Sequence, residues 1–322
     1  MSATTSATTT TLVSLRGVGV RFGRKRALQG VDLDVEDGGF VAVIGADGAG
    51  KSTLLRLLAG LRRPSDGEVA CSLPKAAVGF SGSEFDLYGD LTVMENLRFF
   101  ASMRGMRNAE FRLAADRILD TVGLTEAADR LAAVLSGGMK KKLGLAAALI
   151  YEPRLLFLDE PTVGVDPASR RELWGIVAQA HATGTTVVFA TTYLDEAERA
   201  CQVVLLTDGR ATQLAPEDMQ SLAQGWQAWV IVEEAERSAL RVALAGAALD
   251  ARVYLRPEGL AILARDREEA EELAGRVLEC LPGGLRERPE FRPSALEPAS
   301  LALDDLFVLV QMGLASQKGG ET

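Results

Sequence analysis

The sequence predicts an α/β fold: a parallel core sheet interrupted by a helical insertion, followed by a small α+β domain. Three observations carry this. FVAVIG at 40–45, LLFLDE at 155–160 and TTVVFATT at 185–192 are continuously apolar and of strand length, as expected of parallel strands covered on both faces. Between 91 and 150 strand signals fade and helical spacing takes over. After about residue 222 the pattern becomes a mixture of short strands and helices.

Taken in order, residues 1–11, MSATTSATTTT, are polar and read as a disordered tail. Lacking a basic stretch and an apolar core, they do not resemble a secretory signal. VDLDVE at 31–36 alternates apolar and acidic residues, a strand with one wet face. LTVMENLRFFASM opens on a Thr92/Glu95 capping box, and NAEFRLAADRILDTVGL and TEAADRLAAVL continue with helical periodicity. In the last third, WQAWVIVEE is a strand candidate and RSALRVALAGA a helix. ARVYLRPEGLAILA reads as a hairpin turning at 257–259, and DREEAEELAGRVLECL as a helix capped by Asp266 and Glu269. A Pro-rich linker at 288–298 leads to a final amphipathic helix, LALDDLFVLVQMG. The expected domains are 12–222, with its insertion at about 91–150, and 223–322.

The 322 residues are 48% apolar, enough for a sizeable core. Thirty-five basic against 44 acidic residues give a net charge of −9, which argues against nucleic acid as the main partner. Cys71, Cys201 and Cys280 are far apart and read as small buried residues. The single histidine, His181, reads as a surface residue near a helix end and excludes a His-rich metal site. No apolar run approaches the roughly 18 residues that cross a bilayer. Lys140–Lys142 read as a solvated helix face.

The sharpest signal is GADGAGKST at 45–53, which fits G-x-x-x-x-G-K-[ST] between an apolar strand and a helix. Gly45, Ala46, Asp47, Gly48, Ala49 and Gly50 form a loop whose N–H groups can curl round phosphates, ahead of Thr53 and the helix. Lys51 reaches the β/γ oxygens and the Ser52 hydroxyl coordinates Mg²⁺. At the end of LLFLDE, Asp159 fits the Walker B carboxylate that holds Mg²⁺, and Glu160 can polarise an attacking water. Taken alone, that strand end also fits ordinary solvated acids.

LSGGMKKKLGLA at 135–146, ahead of LLFLDEPTVGVDP, resembles the signature motif of an ABC-transporter ATPase, and the motif order from about 12 to 220 is that family's. The resemblance implies a P-loop NTPase ABC cassette with a parallel core sheet, an antiparallel β subdomain and a helical insertion. It further implies a head-to-tail dimer in which ATP is sandwiched between one phosphate loop and the other subunit's signature. Ser136, Gly137 and Gly138 open a helix there, leaving N–H donors for a γ-phosphate. By the same resemblance Phe22 occupies the aromatic position that stacks on adenine, and Val165–Asp166 the D-loop. SALEPASLALDDLFVLV, DLYGDLTVMENLRFF and GVDPASRRELW resemble the drug, antibiotic and sodium exporter group, whose ATPases serve separate type-2 permeases. Asp47 and the YLDEAE run resemble the N-terminal cassette of two-cassette exporter ATPases.

Two positions depart from the family pattern. Thr192 in ATTYLDEAE stands where the switch histidine is expected, and Ser83 in VGFSGSEF where the Q-loop glutamine is expected. Both losses bear on γ-phosphate chemistry, while Lys51, Ser52, Asp159 and Glu160 are kept. The resemblance therefore implies an ATP hydrolase, peripheral on the cytoplasmic face of the membrane, with ATP and Mg²⁺ as cofactors and a membrane permease as partner. Its own site is expected to be degenerate, with its signature completing a different cassette; the pattern favours a heterodimer over a homodimer. The alternatives are a nucleotide-gated clamp with little hydrolysis, and a non-transport ABC protein acting on ribosomes or DNA.

Overall fold

The computed structural model describes residues 10–82, 87–214, 225–232, 252–256, 259–279, 295–299 and 308. The chain divides into two compact units, Met1–Leu214 and Ala215–Thr322.

The first unit opens with an antiparallel hairpin, β1 (Thr11–Phe22) and β2 (Lys25–Glu36), in which Phe22 pairs with Lys25 at the tip. In β2, Val31, Leu33 and Val35 are buried while Asp32 and Glu36 are exposed, the alternation predicted for 31–36. β3 (Phe40–Gly45) then leads through a loop into helix α1 (Lys51–Leu58). β4 (Asp66–Cys71) pairs back onto β1, making a three-stranded sheet ordered β2-β1-β4. After β5 (Val78–Ser81) comes the insertion, with α2 (Val93–Met103), α3 (Asn108–Val122) and α4 (Gly137–Leu149). β6 (Leu155–Asp159), α5 (Pro167–Ala182), β7 (Thr186–Ala190), the one-turn α6 (Leu194–Ala197), β8 (Gln202–Thr207) and β9 (Arg210–Leu214) complete the unit.

The main sheet has the order β5-β6-β7-β3-β8-β9, parallel except for the edge strand β9. Every residue of β3, β6 and β7 is buried, which explains their unbroken apolar runs. On one face Leu54, Leu55, Leu57 and Leu58 of α1 share a core with both sheets. On the other, Trp174 of α5 stacks edge-on against Phe189 with ring centroids 4.8 Å apart, and Phe189 lies 5.4 Å from Phe40. His181 is half-buried rather than exposed, its ring 4.8 Å from that of Phe40. Asp159 is level with Ala190 and Ala190 with Val43, so β3, β6 and β7 end at one edge. In such a sheet ligands sit at the carboxyl ends of the strands.

Several expectations are corrected. Thr10 and Thr11 are not tail: Thr11 begins β1 and the Thr10 carbonyl accepts from Asp37 N at 2.8 Å; residues 1–9 lie outside the described residues. TEAADRLAAVL is not a helix but two 3-10 turns, Thr125–Ala127 and Ala132–Val134. Its carbonyls at Ala128 and Arg130 accept from Met94 N and Val93 N, two first-turn donors of α2 that no helix of its own can satisfy. That tertiary pairing outweighs local propensity. The Thr92/Glu95 box forms in both directions, at 3.1 and 2.8 Å. Cys71 and Cys201 are exposed rather than buried, and Cys280 lies outside the described residues.

The second unit contains an antiparallel sheet ordered β11-β12-β10-β13, from β10 (Gln227–Val232), β11 (Val253–Arg256), β12 (Gly259–Ala264) and β13 (Glu297–Ala299). Helix α7 (Arg267–Glu279) covers one face through Ala270, Leu273, Ala274 and Val277. Asp266 caps it, accepting from Glu269 N at 2.9 Å. β11 and β12 pair as the predicted hairpin, Arg256 opposite Gly259. Part of the supposed Pro-rich linker is β13, paired to β10. The helix expected at 237–247 and nearly all of the final amphipathic helix lie outside the described residues.

Candidate functional site

The loop between β3 and α1 is shaped by glycine. Gly48 and Gly50 take φ of 78° and 111°, in the left-handed half of the map that side chains with a Cβ avoid. A Cβ on Gly50 would also lie 2.6 Å from the Ala27 carbonyl. The helix that follows has no side-chain cap and no acidic residue in its first turn. Its leading N–H groups and its dipole are therefore left for an anion. Lys51 is 6% exposed; its Nζ donates to the Gly45 carbonyl at 2.9 Å and the Ala46 carbonyl at 3.3 Å, and lies 3.6 Å from Glu160 Oε1. Asp47 is fully solvated, 3.9 Å from Lys51 Nζ.

Across the sheet edge, Ser52 Oγ donates to Asp159 Oδ1 at 2.8 Å. Asp159 is buried, and its other oxygen, Oδ2, has no hydrogen-bond partner among the described residues. A buried carboxylate oxygen without a donor, beside a serine hydroxyl, is a hard oxygen set that fits Mg²⁺. Among the described residues no cluster of three or more His, Cys, Asp or Glu could hold a metal; a magnesium ion that takes one carboxylate plus phosphate oxygens needs none. Burial raises the carboxyls of Asp159 and Glu160 above their ordinary values, against the pull of Ser52 on the first and Lys51 on the second.

Glu160 is a non-glycine residue at φ 50°, a conformation that persists only when its surroundings hold it. Thr192 supplies part of that hold: its N and Oγ1 both donate to Glu160 Oε2, at 3.3 and 3.4 Å. The adjacent Thr191 has a different task. It is buried, and its Oγ1 donates to Glu196 Oε2 at 2.7 Å while accepting from Tyr193 N at 3.0 Å. Glu196, 1% exposed, also accepts on Oε1 from Thr162 Oγ1, from Arg170 Nε at 2.7 Å and from Trp174 Nε1 at 3.0 Å. One carboxylate thus fixes the end of β7, the loop after Glu160 and helix α5 together.

An open pocket of about 470 Å³ brings Phe22, Lys25, Asp47, Lys51, Ser52 and Glu160 to one place. Phe22 is 48% exposed, and the Arg62 guanidinium lies 3.7 Å from its ring centroid. Ala46 and Ala49 belong to the same loop, and Thr53 lines the pocket. Ser136, Gly137 and Gly138 do not line it. They begin α4, with Ser136 Oγ accepting from Met139 N at 3.3 Å. Ser83 lies outside the described residues.

Sequence reasoning missed Lys141 and Glu196. Lys141 is not on a solvated face; it is 7% exposed and its Nζ donates to the Glu160 carbonyl at 3.0 Å. Burial lowers its ammonium below the ordinary lysine value, with the Asp159 and Glu160 charges opposing. Helical period held the signal, since Leu145 and Ala148, four and seven positions on, are both buried. Glu196 lies inside the YLDEAE run, but that resemblance gave it no role, because its partners come from three separate segments.

The ABC transporter family model matches residues 28–163. The chain is 41% identical over 209 residues to the probable multidrug ABC transporter ATP-binding protein YbhF of Escherichia coli, covering 62% of this chain and 36% of that protein. Against the daunorubicin resistance ATP-binding proteins DrrA2 and DrrA3 of Streptomyces coeruleorubidus it is 37% and 34% identical, covering 70% and 78% of their lengths and 66% and 73% of its own. Among solved structures, an ATP-binding subunit of an ABC transporter superposes with TM-score 0.61 at 28% identity, over 65% of this chain and 92% of that one. A dimeric ATP-binding cassette in a post-hydrolysis state, bound to ADP and Pi, superposes with TM-score 0.58 at 26% identity, over 63% of this chain and 98% of that one.

Proposed function

The chain belongs to the ABC transporter family, and from that premise we propose that it is the ATP-binding, ATP-hydrolysing subunit of an exporter. It works at the cytoplasmic face of the membrane on a separate type-2 permease. The observation that carries this is the convergence of Lys51, Ser52, Asp159 and Glu160 at one sheet edge beneath an uncapped helix. ATP lies with its phosphates on the loop amides of residues 45–53, and Phe22 offers its exposed ring to adenine. When Mg²⁺ is bound it neutralises phosphate charge, held by Ser52 and Asp159. Glu160 orients and polarises the attacking water. Among the described residues no helix is long and apolar enough to cross a membrane.

The site is degenerate at the γ-phosphate. Thr192 ends in a short neutral hydroxyl already engaged with Glu160, where a histidine would offer an imidazole donor. Ser83 likewise replaces the longer glutamine. Each missing transition-state donor costs about 10²–10³ in rate. Turnover by the isolated chain is accordingly slow, and its own Ser136–Gly138 turn, absent from its own pocket, completes the site of a second, intact cassette. The similarity to a probable multidrug ABC transporter ATP-binding protein supports a multidrug context.

The test is steady-state ATPase of the purified chain, alone and with its partner cassette. Turnover is expected to be slow alone. The T192H/S83Q double variant is expected to raise it about 100-fold or more. Brisk turnover by the wild-type chain alone, abolished by E160Q, contradicts the degenerate-site reading. ATP retained without phosphate release, even with the partner present, favours instead a nucleotide-gated clamp.

A further inference from the structure

Glu160 is held from every side. Its N–H donates to the Ala190 carbonyl at 3.0 Å, and its carboxylate meets Lys51 and Thr192. Its carbonyl accepts from Lys141 Nζ at 3.0 Å, reaching in from helix α4. The residue sits at φ 50°, where a glutamate is not at rest. Rotation of the peptide after Glu160 toward a relaxed conformation would swing that carbonyl away from Lys141. The lysine is almost fully buried, so its contact is with protein and not solvent.

We infer that Lys141 is a positioning residue for hydrolysis: by hydrogen-bonding the Glu160 carbonyl it locks the strained turn that aims the Glu160 carboxylate at the attacking water. It rests on the proposed role of Glu160 and adds a requirement to it. Lys141 does not line the pocket that holds Lys51, Ser52 and Glu160. Its loss therefore slows cleavage without weakening ATP binding. The role also asks for a donor and not for a charge, which separates it from simple electrostatic attraction to phosphate.

The experiment is single-turnover cleavage of γ-labelled Mg·ATP by the full chain, with ATP affinity and melting temperature measured in parallel. K141M, close in volume and without a donor, is expected to cleave roughly 10- to 100-fold more slowly, as for other small displacements of a catalytic group. Its ATP affinity should stay within about twofold of wild type. K141Q, uncharged but carrying an amide donor, is expected to recover most of the rate. Wild-type cleavage by K141M overturns the inference, and so does equal loss in both variants, which would assign the effect to charge. Should K141M fold poorly, K141Q alone decides: near-wild-type cleavage upholds the donor role and a full loss overturns it. E160Q run beside them keeps the two readings apart, because unimpaired cleavage there refutes the role of Glu160 itself.

Discussion

Truncating Glu196 to alanine is expected to destabilise the first unit by about 3–5 kcal/mol, the cost of removing one partner of a buried ion pair. The carboxylate takes hydrogen bonds from Thr162, Arg170, Trp174 and Thr191, and all four donors would be left facing a void. Arg170 keeps its ion pair to Asp195, at 2.8 Å on the exposed side, so the loss falls on the buried members. For a unit of this size the unfolding transition should drop by roughly 10 °C. Glu196→Gln should cost far less, about 1–2 kcal/mol, because its amide oxygen can still accept on the Oε1 side. Thermal unfolding followed by circular dichroism and hydrogen exchange of the β7 end measure both variants. A Glu196→Ala protein melting within about 2 °C of wild type would contradict the assigned hub.

Glu160→Gln is expected to act in opposite directions on chemistry and stability. Single-turnover ATP cleavage should fall about 100-fold or more, as for loss of a general base, with ATP binding retained. The nucleotide-free, metal-free protein should melt at a higher temperature than wild type at pH 7. The sign follows from burial, which raises the folded carboxyl above its ordinary value of 4.5. Stability present below the unfolded value is lost as pH rises through the folded one, and a glutamine never suffers that loss. The advantage should therefore shrink as pH falls and vanish well below the ordinary value of 4.5, where wild-type Glu160 is protonated in both states. Melting curves across pH test this, and a variant less stable than wild type at pH 7 would show that Lys51 and Lys141 need the charge more than burial opposes it.

The parts of the fold legible in sequence were those where one force dominates. Apolar runs at 40–45, 155–158 and 187–190 fit covered strands, and β3, β6 and β7 are those strands. Glycines at 48 and 50 marked a loop able to curl round phosphates, and both take positive φ; Thr92 with Glu95 announced a helix start. The failures came where distant pairing decides. Residues 125–135 look helical in isolation, yet their carbonyls serve the first turn of α2. Lys141 looks solvated as one of three successive lysines, but α4 turns it inward beneath Glu160. The paired threonines look alike in sequence and do separate work, Thr191 anchoring Glu196 and Thr192 touching Glu160.

Every role proposed for this chain requires triphosphate to be held at the head of α1. Calorimetric titration of Mg·ATP into the wild-type chain and a Lys51→Ala variant tests it most directly. Saturable binding by wild type, weakened at least about tenfold in the variant with the fold intact by circular dichroism, is the expected result. Equal affinity in the two proteins would contradict it.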